Sequence, residues 1–371
     1  MKELLIKKHT IQKQSILILE QYVDKDHYFM RKAISLARRG IGRTAPNPSV
    51  GCIIVKNGKI ISKSRTEDGG RPHAEQNILD YISSDKIVGG TLYTTLEPCC
   101  NITSGHISCT EKIIQSGVKR VVIGTYDPNP RINGRSILKL KKNNIDVVYG
   151  ILEDECREII SGFRKRILYN LPYITMKIAT SLDGKIALRN NESKWITSEY
   201  LRKLGHRLRS KNDGILTGIG TVLSDDPLLT CRMNDKTYHK PTRIILDTYL
   251  RIPQSSKIIT TSNQIETIIF TNKKGLTNYF GAKVVYVNKL NGELELIEII
   301  RYISDMGINN LLIEAGKKIN TSFIKSKLVD KIVLYQSKKI IGEDGVNAIG
   351  ELGINSLSTC YEFQTEFISE R

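Results

Sequence analysis

The apolar positions of this chain switch repeatedly between a helical and a strand period. Residues 27–39 (HYFMRKAISLARR) carry apolar side chains at helical spacing, and Gly40 suits the residue after a helix. The rigid run Pro46-Asn47-Pro48-Ser49-Val50-Gly51 feeds a strand at 52–55, with Asn57-Gly58 as a hairpin turn. The pattern then predicts a helix over 73–82, a strand at 91–96, a short helix over 109–116 and a strand at 120–124. A helix at 137–142 and a strand at 146–148 follow. Strands alternating with helices predict a layered α/β sheet.

A polar helical stretch over 152–169 reads as a connector, and Leu171-Pro172-Tyr173 opens a second alternating series. Its expected strands lie at 174–179, 214–217, 243–247, 267–270, 283–287, 310–313 and 331–335. Its expected helices lie over 198–209, 294–306 and 321–325, with Ser198 as a natural N-cap. The expected organisation is an extension over 1–25, an α/β domain over 26–150, a connector over 151–171 and a second α/β domain over 172–371. No internal repeat relates the two domains. In the extension, Ile16-Leu17-Ile18-Leu19 is brief, runs into Glu20 and lacks a small-residue cleavage site. That argues for an extra helix or a frayed extension rather than a signal peptide.

Length agrees with two domains, each large enough for a core: the chain has 371 residues. It holds no apolar run of the ~20 residues needed to span a bilayer, so no membrane partner is expected. The net charge of +18 raises the question of an anionic partner. The lysines are dispersed in short pairs such as Lys141-Lys142, without the aromatic-interleaved basic stripe of single-strand binders. This favours surface drift or an anionic small substrate over a nucleic acid. Seven scattered cysteines are no disulfide framework and fit a reducing cytoplasm.

The densest chemistry lies between Pro72 and Cys109. His73, Cys99 and Cys109 supply three zinc ligands, which leaves a fourth tetrahedral position open, as in catalytic sites. Glu75 follows two residues after the imidazole, and His-x-Glu…Pro-Cys is the zinc-deaminase signature, in which the Glu moves protons without ligating. Cys100 competes with Cys99, but Cys99 directly follows Pro98 and is the better ligand. In the second domain Gly218-Ile219-Gly220 falls short of a dinucleotide fingerprint. The turn at Glu314-Ala315-Gly316 presents backbone N–H groups suited to a phosphate, as an ordinary strand-to-helix turn also would.

Taken together, these motifs resemble the bifunctional deaminase/reductases of riboflavin biosynthesis, from about residue 26 to 342. The first domain adds Asp127-Pro128-Asn129-Pro130 to the segments above. The second contributes Ser181-Leu182-Asp183-Gly184-Lys185, Ser193-Lys194-Trp195-Ile196-Thr197-Ser198, Asp225-Asp226-Pro227-Leu228-Leu229-Thr230-Cys231-Arg232 and Leu328-Val329-Asp330. The resemblance implies a cytidine-deaminase-like three-layer domain followed by a dihydrofolate-reductase-like domain. It implies zinc-dependent removal of the 2-amino group from a diaminopyrimidinone carrying a ribosylamino 5′-phosphate. Reduction of the ribosyl chain to ribityl with NADPH would follow. By position it assigns zinc to His73, Cys99 and Cys109, and proton transfer to Glu75. Ala179, Trp195, Thr221, Asp225, Thr248 and Gly316 match cofactor positions. Asn47, Ser193, Arg209, Leu229, Arg232 and Glu314 match substrate positions, with Arg209 and Arg232 as the expected phosphate clamp.

The sequence departs from that family between Cys99 and Cys109, where the loop is one residue longer and lacks the usual His, basic residue and Pro-Pro. Thr66 also stands where a His is usual, and His106 is a candidate substitute or an ordinary loop residue. Two rival readings follow: a reductase whose deaminase domain is impaired by this loop, and a nucleic-acid base deaminase. The expected partners are a phosphorylated pyrimidine and further copies of the chain, with no nucleic acid and no membrane, in the cytoplasm.

Overall fold

In a computed structural model the described residues are 24–100, 107–233 and 236–364. The chain divides into two compact units between Tyr169 and Asn170.

The first unit opens with α1 (24–37) and the hairpin β1 (Gly51–Lys56) and β2 (Lys59–Arg65). Asn57 and Gly58 both take positive φ (53° and 73°), the conformation a two-residue hairpin turn needs. Next come α2 (Ala74–Leu79), α3 (Ser84–Ile87), β3 (Thr91–Leu96), α4 (Cys109–Gln115) and β4 (Arg120–Thr125). The unit ends with α5 (Arg135–Lys142), β5 (Asp146–Tyr149), α6 (Glu153–Ile159) and α7 (Ser161–Tyr169). The sheet runs β2-β1-β3-β4-β5, antiparallel on the β1 side and parallel from β3 to β5.

Five consecutive residues of β1, β3 and β4 are buried, as expected of strands covered on both faces. Gly51 is required by this packing: a Cβ there would lie 1.9 Å from the Ala33 carbonyl oxygen of α1. The polar stretch expected as one connecting helix breaks at Ile160 into α6 and α7. Its apolar residues Cys156, Ile159 and Ile160 complete the first core, which ties the segment to this unit.

The second unit begins with β6 (Tyr173–Thr180), β7 (Lys185–Ala187), α8 (Glu199–Arg209), β8 (Gly214–Gly218) and α9 (Ile219–Asp225). It continues with β9 (Cys231–Met233), β10 (Lys236–His239), β11 (Thr242–Leu246), α10 (Lys257–Thr260) and β12 (Thr267–Thr271). Short strands β13 (Asn278–Tyr279), β15 (Lys289–Leu290) and β16 (Glu293–Leu294) flank β14 (Ala282–Tyr286). The remaining elements are α11 (Leu296–Asp305), β17 (Asn310–Ile313), α12 (Lys317–Lys325), β18 (Lys331–Gln336) and β19 (Val346–Asn347).

The main sheet has the order β13-β14-β12-β11-β8-β17-β6-β18, parallel except for β13. After building outward from β8 to β14, the chain returns and inserts β17 between β8 and β6. That reversal makes a topological switch point, and a crevice opens beyond the carboxyl ends of such strands. No helix among the described residues is long and apolar enough to cross a membrane.

Candidate metal centre and reductase cavity

His73 is the N-cap of α2, and its backbone N–H donates to Gln76 Oε1 (3.1 Å), which fixes the turn that presents the ring. Cys99 follows β3 across Pro98, and Cys109 opens α4, whose N-cap Ser108 accepts from Glu111 N. The three ligand atoms lie within 4.8 Å of one another. His73 Nδ1 is 3.7 Å from Cys99 Sγ and 3.5 Å from Cys109 Sγ. A tetrahedral zinc with ordinary bond lengths places its sulfur and nitrogen ligands about 3.6 Å apart. The donor set and its spacing therefore fit zinc.

The electrostatics of the triad fit too. The Cys99 thiol is held well below its ordinary value, first by the Cys109 thiol, then by His73 and the Cys109 N–H, with burial opposing. Cys109 is pushed up correspondingly, so the pair shares a negative charge. His73 is raised, chiefly by its contact with Cys99. Its Nε2 is buried without a hydrogen-bond partner among the described residues.

Glu75 lies in the first turn of α2 and is 3 % exposed. Burial raises its carboxyl above the ordinary range, against the lowering pull of His73 and Thr94. Thr94 Oγ1 donates to Glu75 Oε1 at 2.8 Å, which aims the carboxylate from the central strand. A buried carboxyl with a raised pKa beside a metal triad suits proton transfer near neutral pH.

Asn47 is half-buried on the loop before β1, and its Nδ2 donates to the Gly70 carbonyl (2.9 Å). It thereby ties that loop to the one carrying His73. Thr66 is buried, and its hydroxyl accepts from Val50 N (3.0 Å), a bond that closes the end of the β1–β2 pair. His106 lies outside the described residues.

In the second unit a cavity of about 1330 Å³ opens at the carboxyl ends of β6, β8, β11 and β17. All six expected cofactor residues line it: Ala179, Trp195, Thr221, Asp225, Thr248 and Gly316. The expected substrate residues of this unit, Ser193, Arg209, Leu229, Arg232 and Glu314, line the same cavity. Gly316 caps α12 and Gly218 caps α9, so the N-termini of two helices open on it, and backbone N–H groups at such an end suit an anion.

Of the two arginines expected as a phosphate clamp, Arg209 is engaged within the protein. Arg209 does not offer a free phosphate fork. Its Nε and Nη2 donate to the two oxygens of Glu314 (2.6 and 2.9 Å), and its Nη1 to the Thr230 carbonyl (3.0 Å). Burial alone would raise the Glu314 carboxyl, but Arg209 and Lys177 outweigh it and hold it at about 2. Arg209 and Arg232 line the same cavity, and Arg232 is the one of the two with no ion pair among the described residues.

Sequence reasoning missed three residues. Lys177 lines the cavity with Nζ 3.6 Å from Glu314 Oε2. The period-2 rule offered the signal, because Lys177 shares a strand face with Ala179. Thr94 stood inside a run read only as strand. Glu97 is 2 % exposed and accepts from Asp127 N, Gly134 N, Ser136 N and Ser136 Oγ (2.7–3.2 Å). It anchors the N-terminus of α5 two residues from the ligand Cys99, and no local spacing signalled that role.

A zinc-deaminase module followed by a parallel-sheet reductase module defines a two-activity enzyme class. Residues 23–125 match the family model of the cytidine and deoxycytidylate deaminase zinc-binding region, and residues 172–368 match the RibD C-terminal domain. The riboflavin biosynthesis protein RibD of Aquifex aeolicus is 42% identical over 333 residues, covering 90% of this chain and 92% of the relative. That of Escherichia coli is 33% identical, covering 92% and 95%. Among solved structures, Acinetobacter baumannii RibD matches with a TM-score of 0.82 at 30% identity, covering 92% and 94%. A Thermotoga maritima diaminohydroxyphosphoribosylaminopyrimidine deaminase/5-amino-6-(5-phosphoribosylamino)uracil reductase matches with a TM-score of 0.82 at 32% identity, covering 92% and 95%. The chain belongs to the RibD family, and its cofactors are zinc and NADPH. The paired modules do not favour a reductase-only protein or a nucleic-acid base deaminase.

Proposed function

We propose that the first unit deaminates 2,5-diamino-6-(5-phosphoribosylamino)pyrimidin-4(3H)-one. The second unit then reduces the ribosyl chain to give 5-amino-6-(5-phosphoribitylamino)uracil. The observation that carries this reading is the convergence of His73, Cys99 and Cys109 on one point, with buried Glu75 beside them.

His73, Cys99 and Cys109 would hold the zinc, which supplies a Lewis acid and acidifies water at neutral pH. Glu75 takes one proton from the water and passes it to the ring nitrogen, then takes the second water-derived proton and passes it to the departing amine, so the ring carbon gains the oxygen and ammonia leaves. Thr94 holds one carboxylate oxygen in place while Glu75 changes protonation state. The Cys109 N–H on Cys99 Sγ favours the thiolate form of Cys99 that metal ligation needs.

In the second unit, NADPH supplies the hydride. The chain's task is to orient the two ligands and exclude water. The α9 and α12 N-termini receive the dinucleotide phosphates. The Arg209–Glu314–Lys177 cluster lies at the β17–β6 side of the cavity and orients the ribose hydroxyls. Arg232 takes the substrate phosphate. Seven cysteines without a disulfide support a reducing, cytoplasmic setting. Exposed Leu334 and Ile340 (54 % and 73 %) support self-association, checked by sedimentation.

The test is ammonia release from the diaminopyrimidinone phosphate, with and without a chelator, followed by NADPH oxidation with the deaminated product. Glu75→Gln abolishes ammonia release and leaves NADPH oxidation intact. Ammonia release at the wild-type rate in that variant would remove Glu75 from the mechanism.

A further inference from the structure

We infer that Arg251 reads the 2′-phosphate of the dinucleotide and so sets the preference for NADPH over NADH. The inference rests on the reductase reading of the second unit.

Most cations of the cavity wall are engaged within the protein. Lys177 and Arg209 pair with Glu314, Lys257 with Asp226 and Lys318 with Glu293, while Lys194 and Arg202 donate to backbone carbonyls. Three have no ion pair within 4 Å and no side-chain hydrogen bond among the described residues: Arg232, Lys317 and Arg251, the last attracted at longer range by the buried Asp247. They occupy three separate places. Arg232 is on β9, Lys317 is the first residue of α12, and Arg251 follows the carboxyl end of β11.

The two ligands of this cavity bring three phosphate positions: the substrate 5′-phosphate, the dinucleotide pyrophosphate and the 2′-phosphate of its adenosine. Lys317 sits where a helix N-terminus already favours the pyrophosphate. Arg232 is the open cation of the substrate residues. That leaves Arg251 for the 2′-phosphate. From β6 to β11 the sheet spans three strand spacings, about 14 Å, so the two ends of an extended dinucleotide are served by different strands.

The β11 loop carries an independent indication. Dinucleotide-binding sheets select NAD with a carboxylate on the ribose 2′-hydroxyl, or NADP with a nearby arginine. The acid that follows β11, Asp247, is fully buried, and its Oδ2 accepts from Ile252 N (2.8 Å). It does not line the cavity. Instead it stabilises the turn in which Leu250 takes positive φ and Ile252 is buried at 2 % exposure. Arg251, between them, is turned out toward the cavity. The same turn thus withdraws the carboxylate that would favour NADH and presents a guanidinium that binds phosphate bidentately.

The experiment compares kcat/KM for NADPH and NADH, with the deaminated pyrimidine as substrate, in wild type, Arg251→Gln and Lys317→Gln. Binding of adenosine 2′,5′-bisphosphate and of AMP is measured alongside. The loss of one charge-assisted phosphate contact lowers the NADPH/NADH ratio by about ten- to a hundredfold in Arg251→Gln. Lys317→Gln weakens both cofactors by a similar factor and keeps the ratio within twofold. An unchanged ratio in folded Arg251→Gln, or a wild type that binds AMP as tightly as the bisphosphate, would overturn the inference while leaving the reductase reading in place. A wild type that oxidises neither cofactor overturns both.

Discussion

Arg209→Met offers a quantitative test of the buried pair beneath the reductase cavity. Arg209 and Glu314 are 18 % and 11 % exposed and joined by two short hydrogen bonds. The pairing holds the Glu314 carboxyl at about 2, against an ordinary 4.5. At about 1.4 kcal/mol per pH unit, that depression corresponds to about 3.5 kcal/mol of native-state stability. Removing one partner of a buried pair costs about 3–5 kcal/mol by a separate route, because the other charge is left in a low dielectric. The two figures agree. Lys177, at 3.6 Å, keeps part of the compensation, which places the expected loss near the lower one.

The sign of the pH dependence is fixed by the same shift. Glu314 is depressed in the folded state, so its contribution is fully present above the unfolded value near 4.5. It is lost as pH falls through about 2. Wild type therefore weakens across that window, and Arg209→Met loses most of this slope. The assay is urea unfolding followed through the single tryptophan, Trp195, which lies in the second unit. The double variant Arg209→Met/Glu314→Gln removes both charges and recovers about 2 kcal/mol of the loss. A single-variant loss below about 1 kcal/mol, or strictly additive losses in the double variant, would refute the reasoning.

Three further outcomes are expected. Thr94→Val removes the hydrogen bond to Glu75, lets its carboxyl rise further, and lowers deaminase kcat about tenfold with zinc content unchanged; metal loss in that variant would contradict an orienting role. Cys109→Ser removes one of three protein ligands, so metal analysis finds well under one zinc per chain while NADPH oxidation persists. Gly51→Ala drives a methyl group against the Ala33 carbonyl, which neither backbone can yield to, and destabilises the first unit by about 3 kcal/mol in thermal unfolding.

The local level of this fold was legible in the sequence. Alternation and turn chemistry located β3 and the Asn57-Gly58 hairpin, because side-chain period and positive φ are set by neighbouring residues. The zinc triad was legible because its donor types are rare and their spacing is chemically restrictive. The break at Ile160 was not, since a continuous helix and two helices share one local pattern until Cys156 and Ile160 find their core.

What the tertiary structure alone decided is long-range pairing. The insertion of β17 between β8 and β6 depends on contacts between strands far apart in sequence, and it creates the switch point at which the cavity opens. Glu314 lies 105 residues from Arg209, so no window of sequence reveals that the expected phosphate ligand is already neutralised. Thr94 meets Glu75 across 19 residues and Glu97 meets Ser136 across 39. The sequence by itself determined which groups are present and which local shapes carry them. Their partners, and hence their charge states and free valences, follow from burial, because only there does an unsatisfied charge or N–H cost enough to force a particular neighbour.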